Sequence, residues 1–548
     1  MGPLSPRWIF SLVVGAAALG LSAPAAQAQY FGRNKVQYED FDFKVLKTEH
    51  FDIYYYPEVQ VEYVALIAER WYARLSRLLD HELSDRQKLI VYASHPHFEQ
   101  TNALQGVQDE GTQGVTELFK RRIVLPMLGP LKETDHVIGH ELTHAFQFDI
   151  TGNGGGTLIS GVPGAARMPL WFVEGMAEYL SVGPVDTETS MWIRALVSQD
   201  KPPEEITDPR FLHPYQHGQA LWAYIGGRWG DDVIGRILKA TRTTPSVAAA
   251  FQRVLRVMPS TLLSQWYDEM RAAAEPLVSQ TDRASAFGTP ILGRATGSGA
   301  FNISPAISPD GNDVVYLSEK DLFAIEMFRS DAHTGKVEKK IVKASLDPHF
   351  EGLQFVNSAG SWSHDGTKFT FAAVRKGHPS ISVMDTDNNK IIKEKIFPDL
   401  GEIYNPAWSP DGRYIVFSAL SGGLSDLFIY DTQEDDLRRL TNDAYGDMHP
   451  VWSPDGRQIA FVTDRFTTGL SSLMYGNYTL ASLDPRTGAI REIPAFDKGK
   501  HINPQWSPDG SSLYFISDQN GVSNVYRRDM ETGEIFQITN LFTGVAGI

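Results

Sequence analysis

The sequence predicts two unlike domains in one chain: an α/β region that turns to mostly helix, followed by an all-β propeller. Two observations carry this. Between residues 29 and 278, short β-branched runs alternate with apolar residues at helical spacing and give way to a long helical stretch. From residue 300 onward a four-residue turn recurs at near-regular intervals, the mark of a repeat architecture. At 548 residues the chain exceeds what one core serves, and 42% hydrophobic against 21% charged residues is a globular balance.

Residues 1–28 read as a secretory signal rather than part of the fold. Arg7 precedes the apolar run Trp8 to Leu21, and Ala26-Gln27-Ala28 is a small-residue cleavage site, which puts the mature start at Gln29. The expected location is the periplasm or the exterior, with association to the outer membrane compatible. No second apolar span follows, so no transmembrane segment is expected. The absence of Cys excludes lipoprotein anchoring, disulfides and cysteine catalysis. A formal charge of −16 argues against nucleic acid as a partner.

Within 29–278, Phe51 to Tyr56, Lys88 to Tyr92 and Arg122 to Pro126 read as strands, and Val61 to Leu79 as an amphipathic helix. Gln216 to Val278 is helical, with Trp222, Tyr224, Ile225, Ile234, Ile237 and Leu238 as core candidates. Residues 279–299, rich in Ser, Thr, Gly and Ala, read as a linker.

The segment 300–548 is repetitive. Ser308-Pro309-Asp310-Gly311 returns at Ser363, Ser409, Ser453 and Ser507, so successive serines are 55, 46, 44 and 54 residues apart. Proline presets φ, aspartate tolerates the next position, and glycine supplies the positive φ that follows. Trp362, Trp408, Trp452 and Trp506 precede four of the five turns, and alternating strands follow them. Five four-stranded blades are predicted. The blades resemble the TolB-like, WD40-like propeller repeats of exported bacterial proteins over about residues 300 to 541. Leu541 to Ile548 has the look of a further blade's first strand, so a five-bladed ring and a longer one both stay open. Asp365, Asp411, Asp455 and Asp509 are turn residues.

Chemistry concentrates at His140-Glu141-Leu142-Thr143-His144. Histidines four apart share one helix face, so both can reach one zinc ion, and Glu141 between them can take a proton from the attacking water. A catalytic zinc needs a third protein ligand. His136, His140 and His144 span about 12 Å of helix and cannot meet one ion; His136 is instead a capping or supporting residue. A metzincin needs Gly and His where Gln147 and Ile150 stand.

The motif is followed by Trp171-Phe172-Val173-Glu174-Gly175-Met176-Ala177-Glu178, and the combination resembles the gluzincin metallopeptidases, in particular the peptidase MA-like group. The resemblance implies Glu174 as third zinc ligand and Glu178 as the carboxylate that fixes a ligating histidine. It implies a glycine-rich loop insertion between residues 151 and 166. Pro214-Tyr215-Gln216-His217-Gly218 resembles the P-Y-x-K-G segment of zinc aminopeptidases, which makes Tyr215 an oxyanion donor; His217, standing where that family has lysine, is its rival, since related enzymes use histidine there. Gly114-Val115-Thr116-Glu117-Leu118 lacks the Met and Asn of the amine-binding G-x-M-E-N segment.

The expected function is therefore an exported zinc-dependent peptidase, more an endopeptidase than an exopeptidase, that hydrolyses peptide bonds with a zinc-activated water and Glu141 as general base. The peptide would pair along a strand near 114–125, and the propeller would hold a substrate or an envelope protein. The rival expectation is a cell-envelope interaction module whose zinc domain is non-catalytic.

Overall fold

A computed structural model describes residues 37–104, 112–117, 120–152, 168–198, 213–321, 325–342, 352–353 and 359–547. The signal segment and most of the glycine-rich stretch expected between residues 151 and 166 lie outside the described residues.

The N-terminal region is built on a five-stranded sheet ordered β1 (Lys44–Lys47), β2 (Phe51–Tyr55), β3 (Gln87–Tyr92), β5 (Arg122–Pro126), β4 (Val115–Glu117). β2, β3 and β5 are parallel, while β1 and β4 lie antiparallel at the two edges. Within the parallel centre β5 is buried on both faces, which accounts for the unbroken apolar run Ile123-Val124-Leu125. Helix α1 (Val61–Leu79) crosses from β2 to β3 and buries Val64, Ile67, Ala68, Trp71 and Leu75, one stripe at helical spacing. A short α2 (His95–Glu99) follows β3. Helix α3 (Leu131–Thr151) leaves β5 and packs on α1, where a Cβ at Gly139 would stand 2.6 Å from the Trp71 ring. Glycine here brings the α3 backbone onto a flat aromatic face.

Six helices complete the region: α4 (Leu170–Val182), α5 (Thr187–Val197), α6 (Gln216–Trp229), α7 (Asp232–Ala240), α8 (Val247–Leu255) and α9 (Pro259–Val278). All six core candidates from Trp222 to Leu238 are buried.

A five-bladed β-propeller follows. Its blades are β6–β9 (302–342), β10–β14 (352–396), β15–β18 (403–439), β19–β22 (447–493) and β23–β26 (501–537). The second blade departs from the regular pattern: two short strands, β10 (Gly352–Leu353) and β11 (Ser361–Trp362), both pair with β12 (Lys368–Arg375). Four first strands carry a proline without losing their place in the sheet. Ser304, Asn405, His449 and Asn503 each take a positive φ just before it, and the ladder shifts register there. Leu541 does not open another blade among the described residues; it bridges to Asp282.

Each predicted turn closes the same way. Ser308 Oγ donates to Asp310 Oδ1 at 2.6 Å, and Ser308 Oγ accepts the Asp313 N–H at 2.9 Å. Gly311, Gly366, Gly412, Gly456 and Gly510 have φ between +67° and +74°. The serine hydroxyls hold Asp310, Asp365 and Asp509 down at about 2.

The two parts share a seam. Leu424 and Leu473 of the propeller belong to the N-terminal core cluster. The loop between β20 (Ile459–Thr463) and β21 (Thr479–Leu483) grips the first turns of α3: Tyr478 donates to Glu133 at 2.8 Å, and Arg70 links the Leu473 carbonyl to Asp135. On the other side Thr187 donates to Asp518 at 2.7 Å.

Depressed aspartate pKa values stabilise the fold above the unfolded value of about 3.9, and that contribution is lost as pH falls toward 2. Urea unfolding at about pH 6 and about pH 2.5 tests this: the triple variant S308A/S363A/S507A is expected to lose less stability between the two than wild type.

Candidate metal centre

Three helices deliver the site. Helix α3 presents His140, Glu141 and His144, all buried, from its third and fourth turns. Helix α4 presents Glu174 and Glu178 one turn apart. The N-terminus of α6 presents Tyr215. α4 and α6 cross almost backbone to backbone: a Cβ at Gly175 would lie 2.4 Å from Gly218, and one at Gly218 would lie 2.5 Å from the Trp171 carbonyl. Trp222 fixes the same crossing by donating its indole N–H to the Phe172 carbonyl at 3.1 Å.

The crossing makes three donor atoms converge. His140 Nε2 and His144 Nε2 are 3.1 Å apart, and each lies 3.2 Å from Glu174 Oε2. Tetrahedral ligands at zinc distances of about 2.0–2.1 Å stand about 3.3 Å from one another, so the triangle has the size of one face of such a shell. The opposite ring nitrogens decide the tautomers. His140 Nδ1 faces Glu178 Oε1 at 3.0 Å and His144 Nδ1 faces Gln147 Oε1 at 2.8 Å. Both partner oxygens only accept, so each Nδ1 carries a proton, and Nε2 is the nitrogen that each ring, once neutral, would offer to the common point.

Electrostatics point the same way. Burial works against a charged His140, yet Glu174 and Glu178 overturn it and hold the imidazole up at about 10. Burial likewise raises Glu174, but His140 and His144 reverse it and keep the carboxyl well below the usual range. Among the described residues only histidines are ion-paired with Glu174 and Glu178. Two buried carboxylates draw positive charge, which protons on the imidazoles supply here and which a metal ion at the same point would supply in their place. The donor set fits zinc: two imidazoles and one carboxylate, with no fourth protein ligand among the described residues.

The remaining candidates divide. The Tyr215 ring stacks on His140 at 6.1 Å and 24°, and its phenol, 43% exposed by residue, is pushed well above its ordinary value by burial and by Glu174, Glu141 and Glu178. It stays a neutral donor. His217 turns to other neighbours. Its Nδ1 accepts the His213 N–H at 2.8 Å, and burial lowers it to about 4. His136 is no cap, since α3 begins at Leu131; its Nε2 lies 3.7 Å from Glu178 Oε1.

Two contributors had no role assigned from sequence. Gln147 orients His144 and also donates to the Val173 carbonyl at 2.9 Å, tying the metal helix to the residue before Glu174. Its position three residues after His144 was the available signal. Thr116 on the edge strand reaches Glu141, a contact that no local spacing announces.

Comparison with known proteins bears on the C-terminal part. The family model of the TolB β-propeller domain matches residues 350–475, and this part is a TolB-like propeller. An uncharacterised protein of Agrobacterium fabrum is 27% identical over 222 residues, 39% of this chain and 69% of that protein. The uncharacterised peptidase YuxL of Bacillus subtilis is 30% identical over 222 residues; the match spans 39% of this chain but only 29% of the relative. TolB from Acinetobacter baumannii shares 25% identity over 43% of this chain and 56% of its own, with a TM-score of 0.34. No helix among the described residues is long and apolar enough to cross a membrane.

The Gly175–Gly218 contact leaves no room for a methyl group. Gly175→Ala is expected to cost about 2 kcal/mol in chemical denaturation.

Proposed function

We propose that the chain is an exported zinc peptidase of gluzincin type that cleaves within polypeptides. The observation that carries this is the convergence of His140 Nε2, His144 Nε2 and Glu174 Oε2 to within 3.1–3.2 Å beside a buried Glu141. A zinc ion held there supplies Lewis-acid chemistry, making a water acidic and a carbonyl electrophilic. Glu141 takes the proton of the attacking water and returns it to the leaving amine. Tyr215, a neutral phenol over His140, donates to the oxygen on which negative charge develops. Glu178 and Gln147 hold the two imidazoles in their ligating tautomers.

Polypeptide is the substrate class because the general base lies against an edge strand. Among the described residues β4 ends the sheet order, with no partner strand on its outer side, and an extended chain can extend the ladder there. The propeller, joined along the α3 seam, would hold the substrate protein or an envelope partner. The signal-like N-terminus supports an envelope location.

The rival reading, an interaction module with an idle metal domain, draws on the TolB-like propeller. A structural zinc site has no use for a base beside it. Glu141→Gln separates the two: zinc content by mass spectrometry is expected to stay near that of wild type while casein or peptide-library cleavage falls about a thousandfold. Zinc without any wild-type cleavage would favour the interaction module. Gln147→Ala is expected to weaken zinc binding about tenfold or more in competition with a chromophoric chelator.

A further inference from the structure

We infer that strand β4 positions the general base, with Thr116 as the anchor of one Glu141 oxygen and Gly114 as the space for the other. The inference rests on the peptidase reading and extends it to the side-chain positions of the β4 segment, whose backbone alone would meet substrate in that reading. Thr116 Oγ1 donates to Glu141 Oε2 at 2.6 Å and lies 2.9 Å from the Glu141 backbone carbonyl. A hydroxyl has one hydrogen, and the charged, nearer oxygen is the stronger acceptor. Two residues earlier the chain passes the other side of the same carboxylate. A Cβ at Gly114 would stand 2.8 Å from Glu141 Cγ and 2.9 Å from Oε1.

The register fixes both. Thr116 pairs with the buried Ile123 in β5, and its alternate neighbours Val115 and Glu117 point to the opposite face. Glu117 is engaged there with Arg122. Thr116 is thus the β4 side chain that reaches the metal helix, and it meets Glu141 rather than a ligand. A carboxylate on a long flexible side chain has two oxygens and several rotamers. Binding Oε2 to the sheet edge removes most of that freedom, and the missing side chain at Gly114 leaves Oε1 clear to receive a proton. Thr116 is a positioning residue.

The test compares wild type with T116V, T116S and G114A, all zinc-loaded, in two assays. Turnover of a quenched peptide pool gives kcat and KM. Calorimetric titration with acetohydroxamate gives a Kd without turnover, because a metal-bound hydroxamate hydrogen-bonds to a neighbouring carboxylate. T116V and G114A are expected to lower kcat about tenfold with KM and zinc content near wild type, and to weaken acetohydroxamate by a similar factor. T116S, which keeps the hydroxyl, is expected to restore both. T116V matching wild type in both assays, or T116S as impaired as T116V, overturns the inference. If wild type binds acetohydroxamate and cleaves no peptide, the peptidase reading fails while the Kd ratios still decide the role of Thr116. If zinc-loaded wild type does not bind acetohydroxamate, the inference falls as well.

Discussion

The constraint on which the proposed site turns is that each imidazole must face an acceptor with Nδ1 before its Nε2 could face a metal. Glu178 does this for His140 from α4, and Gln147 does it for His144 from α3 itself. Once both rings are set, Glu174 Oε2 must come to the same point, which demands that α4 lie within a carboxylate's reach of α3. Gln147 also bonds the Val173 carbonyl, so the side chain that orients a ligand also fixes the helix that carries the third ligand. The glycine pair at the α4–α6 crossing then brings Tyr215 over His140. A change at any of these positions displaces donors that must agree within tenths of an ångström.

The same logic reaches into the propeller. The first turns of α3 are held from outside the domain by Tyr478 on Glu133 and through Arg70 on Asp135. Leu473 and Leu424 complete the apolar core beneath them. A loop of the fourth blade therefore supports α3 one to two turns before His140. This is why the propeller is better regarded as part of the scaffold than as a tethered binding module. These contacts join the loop to Glu133 and Asp135, within two turns of His140.

What the sequence disclosed follows the range of the interactions. His140, Glu141 and His144 were legible because helical period alone puts them on one face. The blades were legible because the Ser-Pro-Asp-Gly turn is a local structure, and all five glycines adopt the positive φ it demands. The prolines of the first strands were harder, because proline inside a strand argues against that strand unless a bulge absorbs it. Glu174 came only through family resemblance, since no spacing relates two helices across a long connection. Tyr215 and His217 could have been separated earlier: residues two apart on a helix point to nearly opposite sides, so only one can face the metal. Thr116 was not legible at all, because its contact with Glu141 depends on how the sheet edge meets α3.

Glu117 sharpens the choice between cutting inside a chain and trimming its end. An aminopeptidase needs a fixed negative charge to receive the substrate's terminal amine, and Glu117 stands at the glutamate position of the amine-binding G-x-M-E-N segment that the zinc aminopeptidases carry. Here the carboxylate is bound within the β4–β5 hairpin by Arg122, with Lys120 4.0 Å away. A carboxylate already neutralised by a guanidinium across its own hairpin has little charge left for an incoming amine. The neighbouring backbone of β4, by contrast, stands at the sheet edge beside Glu141. Recognition then falls to main-chain hydrogen bonds, which every residue of an extended substrate offers equally. In the proposed peptidase, a site built this way would register strand geometry rather than a chain terminus, which is what cleavage at internal bonds requires.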